Sequence, residues 1–128
     1  MHGFRGRILG ISVEPRAEDL RARVMELANG VLRLRGVAGV VTGEEVEVTD
    51  EFLGAGYAVV GDLEREAIAT FARTEGLLVD PVYTGRAAGG LLQLVRSGRI
   101  GQARRIVFWH TGGTPALFAY PTELDSIV

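Results

Sequence analysis

The chain has 128 residues, enough for one domain with its own core, and its content of 47% hydrophobic and 23% charged residues excludes a disordered polymer. A formal net charge of -2 gives no general attraction to phosphate backbones or anionic lipid, which sets aside nucleic acid and membrane surfaces as partners. Without cysteine, and with His2 and His110 as the only imidazoles, the chain has neither a disulfide framework nor the ligand set of a zinc centre.

The opening MHGFRGRIL lacks the apolar run of a signal peptide, and no stretch approaches the length of a membrane span, so a cytoplasmic protein is expected. All 14 Lys+Arg residues are arginine. Chemistry that needs a lysine amine lies beyond this chain alone.

In chain order, residues 7–13 (RILGISV) read as a short buried strand. Pro15 sits where a first helical turn tolerates it, and Leu20, Val24, Leu27, Val31 and Leu34 follow at spacings of four and three. That pattern predicts a helix burying one apolar face and stopping at Gly36. VEVT at 46–49 reads as a strand, followed by the glycine-rich loop FLGAGYAVVG. Asp62 is a candidate N-cap for a second helix that turns Leu63, Ala67, Ile68 and Phe71 inward and ends at Gly76.

LLVD at 77–80 is a short apolar segment limited by Pro81. A third helix is predicted from about Thr84 to Ser97, burying Ala88, Leu91, Leu92 and Val95, with Gly98 closing it. IVFW at 106–109 has the composition of a strand and runs into HTGGTP, where Pro115 suits the first turn of a last short helix. Strands alternating with helices predict an α/β fold: a parallel sheet with helices on both faces, in one unit spanning 1–128. The first strand starts almost at residue 7 with no partner upstream, which suits a sheet of which part is missing.

Three places can carry chemistry. Where IVFW exits into Thr111, Gly112 and Gly113, glycines let a ligand approach the backbone and free N–H groups meet an anion. The same residues also make an ordinary strand-to-helix turn with Thr114 as a cap. Tyr83 and Thr84 lie at another helix start, where a phenol can orient or protonate a bound group; a packed aromatic followed by a capping threonine is the structural alternative. Tyr57, among Gly54, Gly56 and Gly61, is either a lid over a site or a loop aromatic. His110 at a strand end reads as hydrogen-bonded structure. No Walker loop, dinucleotide fingerprint, Ser-His-Asp set or metal cluster is present.

EGLLVDPVYTGRAAGGLLQLVRSG followed by VFWHTGGTPALFAY resembles the end of D-cysteine desulfhydrases and of 1-aminocyclopropane-1-carboxylate deaminases, members of the tryptophan-synthase-β-like (fold type II) pyridoxal-phosphate enzymes. RILGISVEPRAEDLRARVMELA and DEFLGAGYAV fit the same family, so the resemblance spans nearly the whole chain. It implies a partial large domain of such an enzyme, with pyridoxal 5'-phosphate as cofactor. The reaction implied is β-elimination from a small D-amino acid, giving pyruvate, ammonia and, from D-cysteine, sulfide. The complete enzyme would be a homodimer.

By the same resemblance, Thr111 hydrogen-bonds the pyridine nitrogen with Gly112 beside it, and Thr84 is a neighbour of that nitrogen. Tyr83 lies near cofactor ring and substrate, and Tyr57 lines the substrate side. The deaminases carry DPVYEG and HLGG at these places, so Thr84 and Thr111 favour the desulfhydrase type, with the deaminase as the alternative. Arg86 stands where the family usually has lysine, and it is assigned no catalytic role; the two cations differ in geometry. The departures are larger: the family's cofactor-holding lysine and its Gly/Ser/Thr-rich phosphate loop, both N-terminal, are absent from these 128 residues. A fragment inactive without a separate N-terminal half is therefore expected, the other possibilities being a noncatalytic α/β binding module or a remnant without function.

Overall fold

The computed structural model describes residues 6–101 and 105–125; His2 lies outside them. Leu9–Ile11 (β1) and Glu47–Thr49 (β2) form a two-stranded parallel sheet with Leu9 opposite Glu47 and Ile11 opposite Thr49. The Ser12 amide extends the ladder to the Thr49 carbonyl at 2.8 Å. The crossover between them is an 18-residue helix, Ala17–Leu34 (α1). Its start is capped from the far end of β2, where the Asp50 carboxylate accepts the Ala17 amide at 3.1 Å. Asn29 ties the returning chain to α1, donating to the Val41 carbonyl at 3.0 Å and accepting the Val41 amide at 2.8 Å.

Asp62–Glu75 (α2) and Thr84–Arg96 (α3) pack directly on one another, with α3 against β1 and α1 against β2. The run Ala87-Ala88-Gly89-Gly90 explains that closeness. A β-carbon on Gly89 would stand 2.5 Å from Leu63 Cγ, and one on Gly90 would stand 2.8 Å from Phe52 Cδ2 and 2.9 Å from Ile11 Cδ1. Ala67, Ile68, Val79, Val82, Ala88 and Leu94 make the core around this contact, joined by Val41 and Val46 beneath α1. A six-residue 3-10 helix, Thr114–Ala119, and a short helix, Pro121–Leu124 (α4), complete the described chain. No helix among the described residues is long and apolar enough to cross a membrane.

The α/β class and the helix limits agree with the sequence reading, including Gly36, Gly76 and Gly98 in left-handed conformation at the helix ends. Four expectations are corrected. Residues 106–109 belong to no ladder, since strand-forming residues make a strand only where another strand completes their hydrogen bonds. The apolar face of α1 is not buried: Val24, Leu27, Val31 and Leu34 are 37%, 62%, 59% and 89% exposed, because nothing among the described residues lies over them. Val95 is likewise exposed, and Leu91 and Leu92 are half-buried. Asp62 is the first residue of α2 rather than its cap; Gly61 occupies the cap position and donates to Glu64 Oε2 at 2.8 Å.

Candidate functional site

The start of α3 is organised by Asp80. One carboxylate oxygen accepts the amides of Val82 and Tyr83 at 2.9 and 2.7 Å. The other accepts the Thr84 amide at 2.7 Å and the Thr84 hydroxyl at 2.6 Å. The Thr84 hydroxyl in turn accepts the Asp80 amide at 2.9 Å, so the two side chains close a buried double cap. Burial pushes the Asp80 carboxyl upward, but the Thr84 hydroxyl and the amides of Tyr83, Thr84 and Val82 outweigh it and hold the group below its ordinary value. The positive end of α3 favours the same charge.

The 110–114 segment docks on this cap. His110 Nε2 lies 3.2 Å from the Leu78 carbonyl, which also accepts the Thr114 hydroxyl at 3.1 Å. The Gly112 amide donates to His110 Nδ1 at 3.1 Å. Gly113, with φ 96°, lies over the Asp80 carboxylate; a β-carbon there would be 2.6 Å from Cγ and Oδ1. Phe108 anchors the approach, its ring 5.4 Å from that of Phe71. Thr111 and Gly112 are left exposed at the tip, and a β-carbon on Gly112 would meet nothing within 4 Å.

Tyr57 reaches the same end of α3 from the glycine-rich loop. Its phenol oxygen hydrogen-bonds that of Tyr83, with the rings edge-on at 6.0 Å. That hydrogen bond first, then desolvation and the nearby Tyr83, Glu14 and Tyr120, raise the Tyr57 phenol to about 12. At neutral pH the Tyr57 phenol stays protonated and is not a base. The residue after it, Ala58, has φ 59°, a left-handed conformation unusual for a residue with a side chain. A cleft of about 280 Å³ opens beside this loop, lined by Val13, Glu14, Arg16 and residues 53–57. A wider depression of about 850 Å³ along Arg21, Thr42 and Glu47 contains none of the candidate residues.

The structure thus joins Tyr57 to Tyr83, and seats Thr111 and Gly112 on the turn that docks against the Asp80–Thr84 cap. Thr84 differs from the others: it is buried and its single proton goes to Asp80. Two residues escaped the sequence reading, as did the partners of a third. Asp80 was readable as a residue whose carboxylate can meet amides two and three positions on. Glu64 stands three residues after Gly61, the capping spacing. Arg86, noted only as standing where the resembling family usually has lysine, is fully buried and 2.6 Å from Glu64.

No protein-family model matches the chain. The 1-aminocyclopropane-1-carboxylate deaminase of Pseudomonas syringae pv. syringae (strain B728a) is 34% identical over 118 residues, 92% of this chain and 35% of that protein. The D-cysteine desulfhydrase of Salmonella paratyphi C (strain RKS4594) is 34% identical over 113 residues, 88% of this chain and 34% of that protein. A crystal structure of an ACC deaminase homologue superposes with a TM-score of 0.79 at 31% identity, covering 94% of this chain and 35% of the other. The chain is a relative of these enzymes over about a third of their length. Equal identity to a deaminase and a desulfhydrase separates neither activity from the other.

Proposed function

We propose that this chain is the C-terminal third of a cytoplasmic pyridoxal-phosphate lyase of the D-cysteine desulfhydrase type, working only with a polypeptide that supplies the cofactor-holding lysine and the phosphate loop. The observation that carries this reading is the docking of the HTGG turn on the Asp80–Thr84 cap, at the end of α3 where Tyr57 and Tyr83 meet. The absence of lysine from all 128 residues requires a second source of the amine, since a guanidinium stays protonated.

The residues present suit one side of such a cofactor. Thr111 is exposed at the tip of the turn with a hydroxyl able to donate to a ring nitrogen, and Gly112 leaves the backbone open to a planar ring. Thr84 supports that side through Asp80 instead of by direct contact, its proton being already given. When bound, pyridoxal phosphate supplies an electron sink for reaction at the substrate α-carbon. Tyr57, one of the residues lining the small cleft, shares a hydrogen bond between phenol oxygens with Tyr83, and the cleft of about 280 Å³ has room for a small D-amino acid. The complete enzyme is proposed to be a homodimer.

Deamination of 1-aminocyclopropane-1-carboxylate is the second reading, favoured by the 34% identity to the Pseudomonas syringae deaminase. The test combines this chain with the N-terminal two thirds of a full-length relative and pyridoxal phosphate, then offers D-cysteine or the cyclopropane acid. Sulfide from D-cysteine is expected. Ammonia from the cyclopropane acid alone selects the second reading, and no product from a folded, assembled mixture rejects both.

A further inference from the structure

The Arg86 side chain donates four hydrogen bonds. Its Nε donates to Glu64 Oε1 at 2.6 Å, Nη1 to the carbonyls of Val13 and Gly56 at 3.1 and 2.9 Å, and Nη2 to the carbonyl of Val59 at 2.8 Å. It is fully buried, and Glu64 is 2% exposed. The other Glu64 oxygen holds the Gly61 amide at the start of α2, so the carboxylate is fixed independently of Arg86. Gly56 and Val59 bracket Tyr57 and Ala58. Two carbonyls on either side of a strained residue are therefore fastened to one planar group whose orientation is set by a buried carboxylate.

We propose that Arg86 is the positioning residue of this site: paired with Glu64, it pins the loop of residues 54–59 so that the Tyr57 phenol meets Tyr83 and the wall of the adjoining cleft keeps its shape. The wall is involved because Val13, Gly54 and Gly56 all line the cleft. Arg86 bonds the carbonyls of the first and last, and a β-carbon on Gly54 would lie 3.5 Å from its Nη2. Lysine cannot replace it in full, because three N–H donors face four acceptors and lack the planar fork. That Tyr57 serves a substrate rests on the proposed lyase reading; the clamp on its loop does not.

The test is an alkaline titration of tyrosinate absorbance in the 128-residue chain, with Tyr57→Phe identifying which step belongs to Tyr57. In the parent chain the Tyr57 step is expected above the ordinary 10, at about 12, because of its hydrogen bond to Tyr83. In Arg86→Lys, and in Arg86→Met combined with Glu64→Gln, which keeps an acceptor for the Gly61 amide, that step is expected to fall toward the ordinary 10 while the far-ultraviolet helix signal is unchanged. A Tyr57 step that stays near 12 in a folded variant overturns the proposal. If the double variant does not fold, Arg86→Lys decides; if neither folds, Arg86 supports the core as a whole and the positioning role is rejected. A shifted step in a chain that never yields product with any partner half leaves the clamp standing and removes the lyase reading.

Discussion

Gly113 lies so close over the Asp80 carboxylate that a β-carbon on it would stand 2.6 Å from both Cγ and Oδ1. The contact couples the exposed HTGG tip to the start of α3, because the same carboxylate holds the amides of Val82, Tyr83 and Thr84. Gly112 has a similar φ, 103° against 96°, but nothing within 4 Å. Gly112→Ala is therefore expected to cost about 1–2 kcal/mol, the left-handed penalty alone. Gly113→Ala adds the clash with Asp80 and should lower the urea midpoint clearly further. Equal midpoints for the two variants would mean that the turn does not rest on Asp80.

Asp80 also sets a pH dependence. Its folded-state carboxyl lies below the ordinary 3.8, so its stabilisation is complete above that value and is lost as pH falls through the folded value. Asp80→Asn turns an amide N–H₂ toward backbone donors and should cost about 1–3 kcal/mol at neutral pH. The deficit should shrink as pH drops below 3.8, where the parent chain gives up the same interaction. Urea unfolding of both chains at neutral pH and near pH 3 checks this, and a deficit that is the same at both removes Asp80 as the acid-sensitive group.

What the sequence could reveal followed from local rules. Helix ends were legible because Gly36, Gly76 and Gly98 each take the left-handed conformation that stops a helix. Tyr57 was legible as an aromatic among glycines, Tyr83 as an aromatic at a helix start, and the HTGG turn as a glycine pair at an element end. The unformed strand at 106–109 and the bare face of α1 were not, because periodicity reports which side chains want burial and not whether a partner is present to bury them. The contacts of Arg86 were illegible for a related reason: three of its four acceptors are backbone carbonyls distant in sequence, and no side-chain pattern announces them.

The tyrosine pair makes a claim about catalysis. In the reconstituted enzyme, Tyr57→Phe and Tyr83→Phe should each lower kcat by about 10²-fold, the lower end expected for a positioned proton donor. The double variant should be little worse than either single one, since the two phenols share one hydrogen bond. Rates of sulfide release decide. An unchanged kcat in both single variants places the pair outside the chemistry.

Trp109, the sole tryptophan, is 81% exposed in the unpaired 106–109 segment, beside Val107 at 83%. The chain alone should fluoresce like tryptophan in water and be readily quenched by iodide. Adding the N-terminal two thirds of a relative should shift the emission to shorter wavelength and protect it, as the segment gains a neighbouring strand. Iodide access that is undiminished in an assembled mixture would show that this segment is not where the partner packs.

The bare face of α1 separates the stability of the chain from its assembly. Leu27 and Leu34 are 62% and 89% exposed, so Leu27→Gln and Leu34→Gln remove little buried surface and should change the unfolding free energy of the chain by no more than about 0.5 kcal/mol. In the assembled enzyme the same face would be covered, and each buried leucine replaced by glutamine loses on the order of 1.5–3 kcal/mol of apolar burial. The pair of substitutions should thus weaken association with the complementing polypeptide by at least tenfold, measured by analytical ultracentrifugation or by the concentration needed for sulfide release. Association that survives both substitutions would place the interface elsewhere and leave the exposed leucines of α1 unexplained.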